Sequence, residues 1–116
     1  LSHDDVLIAP EKFNGLSLPL AEGRAAGMLV MTTDRYPMNT WLPREPLIPV
    51  ASKFKTRIAD HLQEIEECVV DPQTIAATMD SWYDRDISDY SYQGLDWATQ
   101  NNWTTLKSRW VEALSC

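Results

Sequence analysis

The sequence is poor in the residues that build disulfide frameworks, membrane spans and nucleic-acid surfaces. Its two cysteines among 116 residues are too few for a disulfide framework and lack metal-binding spacing, so we expect a reducing, cytoplasmic environment. The longest apolar run is far shorter than the roughly 20 residues that cross a bilayer. Ten basic against 17 acidic residues give a net charge of −7. This charge argues against nucleic acids and acidic membranes as partners, because an acidic surface attracts neither.

What the sequence does contain is enough apolar residues for one packed domain. The apolar fraction is 44% and the charged fraction 23%, as in ordinary globular proteins. The length suits a single domain with a substantial core. Five tryptophans are many for this length, and we expect several of them to take part in packing.

The first third of the chain has the pattern of a strand, a helix and a second strand. "DVLIAP" (5–10) and "MLVMTT" (28–33) are short apolar runs typical of buried strands. Between them we predict a short helix over 18–26, with Pro19 in its first turn and Gly27 just past its end. A strand, a helix and a strand within about thirty residues predict a βαβ unit with parallel strands and a right-handed crossover.

The middle of the chain has weaker patterns. "DRYPMNTWLPREP" (34–46) contains three prolines and is predicted to be a loop, and "LIPV" (47–50) is predicted to be a third, brief strand. "KFKTRIADHLQ" (53–63) fits a strand or a helix. "EIEECVV" (64–70) alternates charged and apolar residues, which favours a strand exposed on one face.

Three helices are predicted in the last part of the chain. The first begins at Asp71 and Pro72, a capping side chain followed by proline. The second opens at Ser88 or Asp89, and Asn102 precedes the third. The apolar stripe of the third helix consists of Trp103, Leu106, Trp110 and Leu114.

These elements indicate an α/β protein, interpreted as a partial Rossmann-like domain with a short parallel sheet and C-terminal helices over residues 1–116. A doubly wound domain normally has about five or six parallel strands, and a buried opening strand needs neighbours on both sides. We therefore expect a single partial domain, the second half of such a fold, with the first half upstream.

The loop between the first strand and the first helix is the candidate ligand site. A loop that leaves the carboxyl end of a parallel strand is the usual ligand position in such sheets. Gly15 lets the backbone approach a ligand closely. The free N–H groups of Leu16, Ser17 and Leu18 would point at a phosphate above the helix start. Glu22, one turn into the helix, is placed to accept hydrogen bonds from neighbouring hydroxyls such as those of a ribose.

The same residues also have a purely structural explanation. In that alternative, Gly15 shapes a turn, Ser17 caps the helix and Glu22 complements the helix dipole. A single glycine loop is a weak motif. The residues by themselves therefore leave both alternatives open.

The order of residues in "PEKFNGLSLPLAEGRAAGMLVMTTD" (10–34) resembles the donor-binding segment of retaining glycosyltransferases with the GT-B fold, in the glycosyl transferases group 1 family. The family pattern is a strand ending in Pro-Ser, a Glu-Gly-Phe-Gly-Leu-Pro loop, a helix beginning Glu-Ala-Met-Ala-Ala-Gly, and an apolar strand followed by Thr/Ser-Asp. The residues in register with it are Pro10, Gly15, Leu18, Pro19, Glu22, Ala25, Ala26, Gly27 and Asp34. "YPMNTWLP", "VVDPQTIAATMDSW" and "LDWATQNNWTTLKSRWVEAL" are similar to later segments, so the resemblance covers nearly the whole chain.

The resemblance implies a transferase that binds a nucleotide-diphosphate sugar and passes the sugar to an acceptor, with no metal or other cofactor required. It implies donor contacts at Gly15, Leu16, Ser17 and Leu18, and a ribose contact at Glu22.

The chain departs from the family pattern inside this loop. Asn14 stands at the position of the family's first, catalytic glutamate, and an asparagine can hydrogen-bond a sugar hydroxyl but carries no charge. Glu11 lies three positions earlier, and Leu16 and Ser17 replace the usual Phe and Gly. The ribose contact therefore transfers directly, whereas the sugar contact at Asn14 is altered.

The cations that hold the diphosphate in that family come from earlier in its chain, and neither Lys12 nor Arg24 corresponds to them. We therefore expect this chain to work as part of a longer enzyme, with the upstream part as its partner, and to be inactive alone. The alternative is a non-catalytic α/β interaction module that has lost full donor binding. Such a module would act through its apolar C-terminal helices, including by self-association.

Overall fold

The computed structural model describes residues 5–12, 14–57 and 64–115, which form a mixed α/β structure. The strands and helices in chain order are β1 (Val6–Ala9), α1 (Leu18–Ala25), β2 (Leu29–Thr32), β3 (Ser52–Arg57), β4 (Glu64–Val69), α2 (Pro72–Trp82), α3 (Ser88–Gln100) and α4 (Trp103–Leu114). A short 3-10 helix at Met38–Thr40 interrupts the predicted loop after β2.

The predicted strand–helix–strand unit is confirmed in its order and its strand direction. β1 and β2 pair in parallel, with Val6 opposite Leu29 and Ala9 opposite Thr32. The Thr32 hydroxyl donates to the Ala9 carbonyl at 2.7 Å, which joins the carboxyl ends of the two strands. Gly27 has φ 84° just after α1, the left-handed conformation expected of a glycine at a helix end.

β1 differs from the expectation of a buried opening strand. Val6 is 42% exposed and Ile8 38% exposed, and among the described residues β1 pairs with β2 alone. The reason is that Trp82 and Ile87 pack on the face of β2 and leave the neighbouring face of β1 uncovered. An apolar hollow of about 310 Å³ remains there.

The predicted third strand is reduced to a single bridge. Ile48 pairs in parallel with Thr33, through the Ile48 N–H to the Thr32 carbonyl and the Asp34 N–H to the Ile48 carbonyl, both at 2.8 Å. Pro49 follows directly and Pro46 lies two residues earlier. Because Pro46 has no N–H to donate, the pairing cannot extend toward the N-terminus. On the other side the chain turns to β4, where the Ala51 N–H donates to the Val69 carbonyl at 2.8 Å.

β3 and β4 form an antiparallel pair of their own, separate from the parallel sheet. Ser52 lies opposite Val69 and Arg57 opposite Glu64. The undecided segment 53–63 is therefore a strand up to Arg57, and its residues 58–63 lie outside the described residues. The Cys68 N–H donates to the Lys12 carbonyl at 2.9 Å, which attaches β4 to the loop after β1.

The predicted starts of α2 and α4 are confirmed by their caps. An Asp71 carboxylate oxygen accepts the Gln73 N–H at 2.8 Å, and the Asn102 side chain accepts the Thr105 N–H at 2.7 Å. These bonds satisfy N–H groups that have no partner within the helix. α3 begins at Ser88 as predicted.

The core lies on both faces of β2. Because successive side chains of a strand point to opposite faces, β2 contributes to two apolar clusters. One cluster consists of Leu20, Val30, Met38, Leu42 and Leu47. The other consists of Leu29, Met31, Ile48, Trp82 and Ile87. α1 therefore covers one face of the sheet, and the α2–α3 region covers the other.

A polar network fastens the segment before Ile48 to the start of α3. Glu45 accepts hydrogen bonds from Arg85 at 3.1 Å and from the Tyr90 hydroxyl at 2.5 Å. The hydrogen bond from Tyr90, and then the one from Arg85, lower the pKa of Glu45. Desolvation, and then the bond to Glu45, raise the pKa of Tyr90. The hydrogen bonds to the ionised Glu45 therefore stabilise the folded state fully when the pH is above the ordinary glutamate pKa. This stabilisation is lost as the pH falls through the lowered pKa of Glu45.

Within residues 5–12, 14–57 and 64–115, no helix combines the length and apolar character needed to cross a bilayer.

Candidate functional site

A cleft of about 590 Å³ lies at the carboxyl ends of the two parallel strands. Its lining comes from the loop after β1 (Asn14, Gly15), from the segment after β2 (Arg35, Tyr36, Pro37) and from β4 (Ile65, Glu66). The parallel pairing brings the first two segments to one edge of the sheet. The carboxyl edge of a parallel sheet is the usual ligand position in α/β proteins.

Gly15 lies at the cleft with open space around it. A Cβ added there would have no neighbour within 4 Å, and its φ is not in the left-handed region. The turn therefore does not need a glycine at this position. The missing side chain instead leaves room for a ligand to approach the backbone.

Ser17 is the residue of this loop with unusual backbone geometry. Its φ of 53° and ψ of 91° lie in a region that residues with a Cβ rarely adopt. Its hydroxyl donates to Glu11 at 2.9 Å and does not cap α1. The helix-capping role that the structural alternative assigned to Ser17 is therefore wrong.

Glu11 holds the loop together through one carboxylate oxygen. That oxygen accepts hydrogen bonds from the Ser17 hydroxyl at 2.9 Å and from the Asn14 side-chain amide at 3.2 Å. The Asn14 side-chain oxygen in turn accepts the Gly15 N–H at 2.7 Å. The second oxygen of Glu11 is buried and has no hydrogen-bond partner among the described residues.

The start of α1 has free donors. Among the described residues, the backbone N–H groups of Leu16, Ser17 and Leu18 have no acceptor. Leu16 is 72% exposed and Leu18 75% exposed, whereas Ser17 between them is 5% exposed. The N-terminal end of a helix dipole attracts negative charge.

Glu22 is exposed on α1. Within the described part of the chain, its carboxylate has no hydrogen bond and no ion pair. It does not line the cleft, and neither do Leu16, Ser17 and Leu18. Of the predicted site residues, the structure thus brings Asn14 and Gly15 to the cleft and leaves the others outside its lining.

Arg35 is the site residue that sequence reasoning missed. Its guanidinium donates to the Asn14 backbone carbonyl at 3.3 Å, and its Nε is buried without a partner. No carboxylate of the described residues forms an ion pair with it. The available signal was its position directly after Asp34, at the carboxyl end of a predicted parallel strand.

The cations considered from the sequence have structural roles instead. Lys12 forms an ion pair with Glu67 at 3.3 Å. Arg24 donates to the Trp41 carbonyl and lies over the Trp97 ring, 4.6 Å from its centroid. Neither side chain lines the cleft.

Comparison of the chain with protein-family models, with curated proteins and with solved structures found no match in any of the three. The chemical capacity of the site is therefore judged from its own groups. It combines an unpaired guanidinium, free backbone and side-chain N–H donors and, on the adjoining helix, an exposed carboxylate. N–H donors of this kind can hydrogen-bond anionic oxygens, and a carboxylate can accept hydrogen bonds from hydroxyl groups.

Proposed function

We propose that the chain forms the donor-binding part of a glycosyltransferase, which binds a nucleotide-diphosphate sugar and transfers the sugar to an acceptor. The proposed architecture is a partial Rossmann-like domain of the GT-B type. The observation that carries the proposal is the open cleft at the carboxyl ends of β1 and β2, bordered by the loop that resembles the family's donor loop.

The backbone at Ser17 adds support from an independent direction. The family pattern has a glycine at this position, and here a serine adopts φ 53°. A non-glycine residue in this region costs on the order of 1–3 kcal/mol. The loop therefore keeps a backbone conformation suited to glycine at a position occupied by serine. A turn with no further role would not require this conformation.

Each part of the donor has a matching group in this arrangement. The free N–H groups at the start of α1 suit the diphosphate, and the exposed Glu22 carboxylate suits the paired hydroxyls of a ribose. The Asn14 side chain, which lines the cleft, suits a hydroxyl of the sugar. Departure of the diphosphate develops negative charge, and donors that are already oriented toward it lower the barrier.

Glu22→Gln is expected to weaken the binding of a nucleoside diphosphate about tenfold. A hydrogen bond to a charged group contributes about 1.5–3 kcal/mol, against about 1 kcal/mol for a neutral pair. The measurement is a titration of the chain with nucleoside diphosphates, followed by the amide resonances of Gly15, Leu16, Ser17, Leu18 and Glu22.

Glu112→Gln is the matched control, because it makes the same change on an exposed residue of α4. It should bind with wild-type affinity. Equal affinities for wild type and Glu22→Gln would contradict the ribose contact. Wild-type resonances that do not move with any nucleoside diphosphate would contradict the proposed function itself.

A second candidate function, self-association through the C-terminal helix, is favoured by the exposed face of α4. Trp103 is 80% exposed, Trp110 52%, Val111 56% and Leu114 77%. These residues line a trough of about 490 Å³. A contiguous apolar patch of several hundred Å² is typical of a protein–protein contact, and each tryptophan can bury about 150–250 Å².

Trp110→Lys is expected to weaken such self-association at least about tenfold, because a charge would have to be buried in the contact. Sedimentation equilibrium over a range of protein concentrations measures it. Ser108→Lys adds the same charge to another exposed position of α4, outside the trough, and should associate like wild type. A wild-type protein that stays monomeric at high concentration would exclude this second function.

A further inference from the structure

Arg35 stands out among the cations of the described residues because it faces the cleft without a carboxylate partner. Its one hydrogen bond runs to the Asn14 backbone carbonyl, at 3.3 Å. Its Nε is buried and unpartnered. A buried donor without an acceptor is costly, and a guanidinium presents several donors in a plane that fits a phosphate or a carboxylate. The Nε–H is shielded from the cleft, so the donors that Arg35 retains for a ligand are the remaining N–H groups on Nη1 and Nη2.

The orientation of the Asn14 side chain is settled by its two neighbours. The Gly15 N–H can only donate, so the atom facing it must be the Asn14 oxygen, at 2.7 Å. The Glu11 carboxylate can only accept, so the atom facing it must be the Asn14 nitrogen, at 3.2 Å. One N–H of the Asn14 amide remains for a ligand. Glu11 thereby makes position 14 a donor, whereas a glutamate in its place would be an acceptor.

We infer that the corner of the cleft between Asn14 and Arg35 is a subsite for an anionic oxygen group, either a phosphate of the donor or a carboxylate on its sugar. This inference rests on the proposed function for the identity of the ligand. The subsite itself depends on two donors that line one cleft, in a protein whose net charge is −7.

Among the described residues that line the cleft, Glu66 is the one that carries a carboxylate, and its charge is already partly matched. Its carboxylate lies 3.9 Å from the Lys53 ammonium and accepts the Cys68 thiol at 3.8 Å. Arg35 is not among its ion-pair partners. The Arg35 guanidinium is therefore not paired with the carboxylate that β4 contributes to the lining.

Arg35→Gln is expected to weaken the binding of inorganic pyrophosphate and of nucleoside diphosphates by about tenfold or more, as for the loss of a charge-assisted hydrogen bond. Arg109→Gln removes the same charge from the exposed face of α4 and should bind like wild type. In the wild-type protein, the Arg35 Nε–H and the Asn14 side-chain amide resonances should shift as the anion saturates. This readout remains available if the Arg35→Gln variant does not fold.

Asn14→Asp tests the orientation of the amide. The substitution keeps the size of the side chain and replaces a donor by a negative acceptor, so affinity for each anion should fall about tenfold or more. The subsite would be overturned if the two single variants, Asn14→Asp and Arg35→Gln, both bound each anion with wild-type affinity. It would also be overturned if the Arg35 Nε–H and Asn14 amide resonances of the wild type did not move at saturation.

Three ligands separate the sources of the anionic group: a nucleoside diphosphate, its neutral-hexose ester and its hexuronate ester. If Arg35→Gln weakens the binding of all three ligands equally, the subsite holds the diphosphate. If it weakens the binding of the hexuronate ester alone, the subsite holds the sugar carboxylate. Pyrophosphate binding that depends on Arg35 and gains nothing from a nucleoside would uphold the subsite and refute the glycosyltransferase. Nucleotide-sugar binding that depends on Glu22 but not on Arg35 would refute the subsite and uphold the proposed function.

Discussion

Gly94→Ala is expected to destabilise the protein although it adds a better helix former to the middle of α3. A Cβ at position 94 would lie 2.3 Å from the Arg24 backbone carbonyl oxygen. Alanine in place of glycine favours a helix by about 1 kcal/mol, but inserting a methyl group into a packed contact costs about 1–3 kcal/mol and sometimes more. The carbonyl belongs to the backbone of α1 and cannot rotate away, so the clash should dominate.

The other glycines provide a graded control for this prediction. At Gly23 the added Cβ meets a flexible atom, the Leu7 Cδ2 at 2.6 Å, and at Gly15 it meets nothing within 4 Å. We expect the order of melting temperatures to be Gly15→Ala highest, Gly23→Ala intermediate and Gly94→Ala lowest. Each kcal/mol corresponds to about 4–8 °C in a domain of roughly this size. A Gly94→Ala protein as stable as wild type would show that α1 and α3 do not pack this closely.

Leu20→Ala is expected to lower the free energy of unfolding by about 2–5 kcal/mol, the usual range for a buried leucine. Leu20 is 0% exposed and belongs to the cluster between α1 and β2. Loss of its side chain leaves a cavity beneath the helix that carries Glu22. Urea unfolding followed by tryptophan fluorescence measures the change.

Leu18→Ala is the matched control on the same helix. Leu18 is 75% exposed, so its truncation should change the free energy of unfolding by less than about 0.5 kcal/mol. Equal losses from the two substitutions would mean that α1 does not sit on the sheet through Leu20. Together, the two variants test whether α1, which follows the proposed donor loop, packs on the sheet through Leu20.

The features of the fold that were predicted correctly depend on short-range signals. Pro19 and Gly27 bound α1, and the side chains of Asp71 and Asn102 cap the next helices. Each of these acts within about one helical turn, so its effect is visible in a short stretch of sequence.

Two predictions about strands failed, one because of what lies next to the strand in space and one because of a local signal. The apolar pattern of β1 predicted burial on both faces, but Ile8 is 38% exposed because the α2–α3 region covers β2 and not β1. The third strand failed for a local reason: it is a single bridge at Ile48 because Pro46 has no N–H to continue the ladder, a signal that the apolar run concealed.

Part of the lining of the cleft was predictable from the sequence, and the rest was not. The carboxyl end of a parallel strand is the usual ligand position in α/β proteins. Asn14 and Gly15, from the loop at that end of β1, line the cleft, and ligand binding there stays a prediction. Arg35 and Glu11 were not identified as its partners. Their roles depend on side-chain distances that no spacing along the chain encodes.

The sequence alone determined the order of the elements and the direction of the first two strands, because local propensities and a short crossover settle them. Only the tertiary structure decided which polar groups meet at the loop after β1. Asn14 and Arg35 are 21 residues apart and meet because parallel pairing brings the ends of β1 and β2 to one edge. Whether a neighbouring group acts as donor or acceptor then depends on contacts, such as that between Glu11 and Asn14, that exist only once the chain has folded.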